Sequence, residues 1–177
     1  MITTIVSSTA LVSLLFLVQT TWLRNGLILG VVPDLGLLVI LWVSFRNEKS
    51  VGSFTGFFSG LVCDLFSAAS VGYFAFLYVI PAYAVSVLNR FVSLDAIWIP
   101  FLAGFFSTLL KAIGSIVLSA IFGPSVLSSY FLNDIHLWVE AGLNAVLAPL
   151  VFFLLNMTGS FFVAKRTPSE RIGSHRK

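Results

Sequence analysis

Six apolar runs, at residues 4–23, 26–45, 50–66, 71–89, 96–122 and 135–163, are separated only by short polar breaks, and this pattern limits the chain more than any other feature. A helix needs roughly 20 apolar residues, within a range of about 17–25, to cross the hydrocarbon core of a bilayer. The third run is short, while the fifth and sixth are long enough to tilt or protrude. The breaks carry turn chemistry: Arg24-Asn25-Gly26, Arg46-Asn47-Glu48-Lys49-Ser50, Ser67-Ala68-Ala69-Ser70, Asn89-Arg90 to Asp95, and Gly123-Pro124-Ser125 to Asp134. None is long enough for an extramembrane domain. The expectation is an all-α integral membrane protein of six transmembrane helices, one domain over residues 1–164 with a basic tail over 165–177. Composition agrees, since only 10% of residues are charged, against about 25% in a soluble domain. The 18 Phe fit lipid-facing and interhelical packing rather than an aromatic ligand cage.

The first run has no Lys or Arg before it and ends at Thr21-Trp22-Leu23-Arg24 without a small-residue cleavage signature. It reads as a retained helix rather than a removed signal. A single cysteine, Cys63, lies inside an apolar run and excludes an internal disulfide.

The formal charge of +3 does not point to nucleic acid, because of where the basic residues fall. With six spans, Arg46, Lys49, Arg90, Lys165, Arg166, Arg171, Arg176 and Lys177 share one side, and the other side receives Arg24. Basic loops face the cytoplasm, so both termini are expected to be cytoplasmic. The tail reads first as a plain topology determinant, and also suits anionic lipid headgroups or a cytoplasmic partner.

Four charged residues fall inside the expected spans: Asp34, Asp64, Lys111 and Glu140. Such groups are expensive in lipid and turn toward protein or water. Each also sits on a row of small or polar residues four apart, one ridge of a helix: Gly26, Gly30, Asp34; Gly52, Gly56, Gly60, Asp64; Ser107, Lys111, Ser115, Ser119; and His136, Glu140, Asn144, Ala148. Small residues at this spacing let helix backbones approach. The expectation is therefore a buried polar cluster in the outer half of the bundle, with Asp34–Lys111 as its ion pair. It serves either as a site or only to fix helix register. Pro33, Pro81, Pro100 and Pro149 are expected to bend spans, and Pro33 to open a helix beside the Asp34 carboxylate.

Catalytic sets are missing from the sequence. There is no zinc-protease pattern, no phosphate-binding glycine loop and no aspartyl-protease context around Asp34 or Asp64. Gly56-Phe57-Phe58-Ser59-Gly60 misses the intramembrane serine-protease spacing by one residue. His136, near the start of the sixth helix, reads as an interfacial or capping residue. Asn156-Met157-Thr158 matches a glycosylation sequon but lies toward the cytoplasmic end of a span. Neither enzymatic activity, nor a cofactor, nor a metal is expected.

Three stretches resemble the bacterial rod shape-determining protein MreD family: Val32-Pro33-Asp34-Leu35-Gly36-Leu37-Leu38-Val39, then Gly56-Phe57-Phe58-Ser59-Gly60-Leu61-Val62-Cys63-Asp64-Leu65-Phe66-Ser67, then Val71-Gly72-Tyr73-Phe74-Ala75-Phe76. They match its Pro-Asp before a Leu-rich second helix, its Gly-x-x-x-Gly-Leu-x-x-Asp-Leu pattern and a Gly that starts the next helix. The resemblance lies between residues 32 and 83. It implies a non-catalytic scaffold in the bacterial inner membrane that serves cell elongation and peptidoglycan synthesis. The implied partners are MreC, the actin-like MreB, the glycosyltransferase RodA and a class B penicillin-binding transpeptidase. It also implies a fold like the six-helix substrate-binding subunits of energy-coupling-factor vitamin transporters. That kinship supplies the alternative function, a subunit binding a small solute for a transporter. Helix 1 has Ser7, Ser8 and Ala10 but lacks the Ala-x-x-x-Ala docking row common in those subunits. Under the leading reading, Asp34, Asp64, Lys111 and Glu140 form the polar or partner cluster, and Pro33, Gly30, Gly52, Gly56, Gly60 and Gly72 pack the helices.

Overall fold

The computed structural model describes residues 1–22, 30–67, 70–89, 98–123 and 135–158. They form six helices: α1 Ile2–Trp22, α2 Leu35–Arg46, α3 Lys49–Phe66, α4 Tyr73–Leu88, α5 Trp98–Phe122 and α6 Ile135–Thr158. By length and composition, α1, α5 and α6 can each cross a membrane, whereas α2 and α4 are apolar but shorter. At ~1.5 Å per residue, the 12 residues of α2 reach only ~18 Å. The third helix has 18 residues, but its glycines, hydroxyls, Lys49 and Asp64 leave it less apolar than the three long ones.

Helix α2 is the axis of the fold. All its residues from 36 to 44 are buried, and it contacts each of the other five helices. Around it, α1 packs on α3, α3 on α4, α4 on α5 and α5 on α6. A helix apolar on every side belongs in the middle of a bundle, and the sequence Leu-Gly-Leu-Leu-Val-Ile-Leu-Trp-Val meets that condition. The large exposed apolar side chains, including Leu14, Phe57, Phe106, Val146 and Phe153, lie on the outer helices.

The closest pairing, α3 against α4, follows from the glycine row. A Cβ on Gly52 would collide with the Ser86 and Ser44 side chains, and one on Gly60 with the backbone of Phe74 and Ala75. At Gly56 it would stand 2.8 Å from the Tyr78 carbonyl oxygen. The α5–α6 contact uses the same device at Gly104, where a Cβ would come 2.7 Å from the Asn144 carbonyl oxygen. That glycine lies outside the four rows read from the sequence.

Several expectations need correction. The second helix does not begin near residue 26. It begins at Leu35, and Asp34 is its N-cap, accepting a hydrogen bond from the Leu37 amide at 3.0 Å. Gly30 has φ 75°, is exposed, and a Cβ there would meet nothing within 4 Å among the described residues. It is a turn residue rather than a packing glycine; Gly26 lies outside the described residues. Pro33 is buried just before α2 and bends no helix. Pro100 occupies the first turn of α5, where its missing N–H has no intrahelical partner to lose. Pro81 and Pro149 do lie inside helices. Gly72 does not relieve a close contact either; its φ of 96° in the left-handed region starts α4. Arg24, Arg90 and residues 159–177, with the basic tail, are outside the described residues.

Replacing Gly60 by Ala should lower stability in detergent by about 1–3 kcal/mol through backbone overpacking. Gly142→Ala, at a helical position where a Cβ would meet nothing within 4 Å among the described residues, should be neutral or stabilising by up to ~1 kcal/mol. Thermal melting of the two variants in the same micelles checks the contrast.

Candidate functional site

Three of the four ionisable residues singled out in the sequence meet at one point. Lys111 Nζ of α5 lies 2.8 Å from Asp34 Oδ2 and 2.5 Å from Glu140 Oε1 of α6. All three residues are 4–5% exposed. Tyr78 of α4 donates its hydroxyl to both oxygens of Asp34, at 3.0 and 3.1 Å. The backbone amide of Asp34 donates to Asn144 Oδ1 at 2.8 Å. Asn144 in turn donates through Nδ2 to Thr108 Oγ1 at 2.9 Å, and that hydroxyl donates to the Gly104 carbonyl at 2.9 Å.

Local structure explains why Asp34 can hold so many partners. As the N-cap of a helix that starts within the bundle, it projects its carboxylate where backbone donors are unclaimed. Leu37 takes one oxygen, and Gln19 of α1 supplies an acceptor for the Leu35 amide at 3.2 Å. Non-helical backbone inside a membrane protein must be enclosed by protein or face water. Here Val31, Pro33 and Asp34 are all buried. Asp34 thus joins α2 to α4 through Tyr78, to α5 through Lys111 and to α6 through Asn144.

Asp64 stands apart from this cluster. Its carboxylate accepts from the amides of Gly72 at 2.8 Å, Phe74 at 2.7 Å and Ala75 at 3.3 Å. The N-cap of α4 is a glycine without a side chain, so Asp64 caps α4 from the end of α3. A carboxylate at a helix N-terminus is also favoured by the helix dipole. The single four-residue cluster expected from the sequence is therefore a three-residue ion cluster and a separate cap.

Sequence reasoning passed over Tyr78 and Thr108. A tyrosine in the middle of an apolar helix was the available signal, because a buried phenol needs a hydrogen-bond partner. Thr108 gave none, since it lies one residue from the Ser107–Lys111 row. Among the described residues, no group of three or more His, Cys, Asp or Glu is arranged to hold a metal ion. A lysine clamped by two carboxylates is suited to locking helices together.

The family model of the rod shape-determining protein MreD matches residues 1–158. The chain belongs to the MreD family. It is therefore a membrane protein of cell-shape determination, from a family that is structural rather than enzymatic. No curated protein and no solved structure matches the chain. In this MreD-family chain the two carboxylates of the resembling stretches act differently: Asp34 ties four helices, and Asp64 closes the α3–α4 corner.

Lys111→Met leaves two carboxylates facing each other in a buried site and should cost about 3–5 kcal/mol. Adding Asp34→Asn and Glu140→Gln should recover most of that loss. In double-mutant cycles by chemical denaturation in micelles, Lys111→Met should couple to Asp34→Asn. It should add to Asp64→Asn within ~0.5 kcal/mol.

Proposed function

We propose that this chain is a non-enzymatic scaffold of the bacterial inner membrane, crossing it six times with both ends in the cytoplasm, that grips MreC in the cell-elongation machinery. In this reading MreB, RodA and a class B penicillin-binding transpeptidase act in the same assembly, and the product of its work is the placement of peptidoglycan synthesis. Kinship of the fold with the substrate-binding subunits of energy-coupling-factor transporters belongs to the same proposal.

The observation that supports it best is the Asp34–Lys111–Glu140 cluster within an MreD-family chain. Its carboxylates hold helices, and a bundle locked at one end makes a rigid docking body. The arrangement of the described helix ends is compatible with the topology. Asn89 at the end of α4 donates to the carbonyls of Ser44, Phe45 and Asn47, and Asn156 near the end of α6 accepts from Arg46. The ends of α2, α4 and α6 thus gather where Arg46 and Lys49 lie.

Native membranes solubilised in a mild detergent should yield MreC together with the tagged chain. Complete absence of MreC from that material would sink the scaffold reading. Topology has its own check in a Cys63→Ser background. Ser70→Cys should react with an impermeant maleimide on intact spheroplasts, and Glu48→Cys only after permeabilisation. Both positions are exposed.

A further inference from the structure

At the opposite end of α2 from the ion cluster lies an arginine that takes no part in that cluster. Arg46 is exposed and occupies the last turn of α2. Its guanidinium lies over the Trp42 ring, 5.9 Å from the centroid. Trp42 is one helical turn earlier and 1% exposed, so it offers a fixed platform for a cation. One terminal nitrogen of Arg46 donates to Asn156 Oδ1 at 2.7 Å. The same oxygen accepts from the Trp42 indole N–H at 2.9 Å. The indole therefore fixes the Asn156 amide, and the amide fixes the guanidinium.

This leaves a preorganised donor set. A guanidinium carries five N–H donors in a rigid fork, and among the described residues the hydrogen bond to Asn156 engages one nitrogen of Arg46. Among the described residues no carboxylate pairs with it; the ion pairs there belong to Lys111. Glu48, two residues on, is exposed and makes no ion pair with it. With Oδ1 of Asn156 occupied twice, its NH₂ group is a further donor at the same exposed corner. Planar, bidentate recognition of phosphate is what an oriented arginine does best.

The apolar surroundings narrow the source of that phosphate. From Asn156, the outer face of α6 runs through Phe153, Leu150 and Val146, which are 63%, 54% and 66% exposed. Their spacing of three and four places them in one stripe along the helix. A phosphate carrying acyl chains would set its head on Arg46 and Asn156 and a chain along this stripe. We infer that Arg46, oriented by Trp42 and Asn156, forms a binding site for the phosphodiester headgroup of an anionic phospholipid. The carbonyl ends of α2 and α6 disfavour an anion at this corner, so the site depends on the arginine.

The test titrates phosphatidylglycerol, phosphatidylcholine of the same acyl chains, and inorganic phosphate into the delipidated full-length protein in a neutral detergent. Native mass spectrometry and melting shifts read the binding. Wild type should prefer phosphatidylglycerol by about tenfold, the scale of one charge-assisted hydrogen bond. Arg46→Gln should reduce the preference to near unity. Arg46→Lys should keep part of it, and Asn156→Ala should weaken it. Inorganic phosphate at the same concentration should give no shift. Retention of the full preference in Arg46→Gln would assign it to other basic residues, such as the tail, and overturn the inference. Equal binding of the two lipids by wild type would do the same. A shift with inorganic phosphate alone would make the corner a general anion site and also refute the lipid assignment. If Arg46→Gln does not fold, wild type against Arg46→Lys decides, since loss of planar geometry must lower the preference.

Discussion

The fold depends on Asp34 more than on any other residue. It begins the central helix and supplies that helix with its cap, and it holds Lys111 and Tyr78 through its carboxylate while its amide engages Asn144. The first contact is local and the others come from α5, α4 and α6. Removing charges from water is expensive, and attraction between them repays the cost only when geometry is good and the remaining lone pairs are satisfied. At Asp34 both oxygens have donors, and Lys111 has a second carboxylate in Glu140. The reward for such a site is specificity of arrangement. Sliding α5 or α6 by one turn, about 5.4 Å, would strand a charge in a low-dielectric interior.

This constraint explains the division of labour between the two ends of the bundle. At the α2 N-terminus, charged groups are enclosed and hold helices to one another. At the α2 C-terminus, Asn47, Asn89 and Asn156 hold the corner by amide hydrogen bonds, and the charge of Arg46 stays exposed. Neutral amides there satisfy the carbonyl ends of helices without burying charge. Between the two ends lies an apolar middle in which packing is by size. Glycines let α3 meet α4 and α5 meet α6, and Leu, Ile, Val and Trp fill the space around α2. In a bilayer, close packing of this kind drives association of helices that have no apolar reason to leave lipid.

Much of this was legible in the sequence because it depends on local chemistry. Apolar runs set the number and approximate place of the helices. The Gly52-Gly56-Gly60 row identified a packed face on α3, since glycines four apart make a groove whatever fills it. The resemblance to the MreD family was readable in residues 32–83, where Pro33-Asp34, the glycine row with Asp64, and Gly72 stand close together in the chain, and the family model over residues 1–158 established the membership. The inward turn of Asp34, Lys111 and Glu140 was also readable, because charge in an apolar helix has few places to go.

Tertiary structure decided the rest, for reasons no single segment contains. The apolar run before Asp34 looks helical by composition, yet the helix starts only at Leu35, where the carboxylate can cap it and the neighbouring helices enclose the irregular backbone. Asp34 and Asp64 look alike as acids ending glycine rows. One met a lysine from α5 and the other met the bare amides at the start of α4, because the α3–α4 turn brings those amides to Asp64. Tyr78 and Thr108 became part of the cluster only through contacts 44 and 36 residues away in the chain. Sequence determined which groups must be hidden from lipid; the folded arrangement determined which partners hide them, since partnership in a bundle depends on the neighbours each helix face meets.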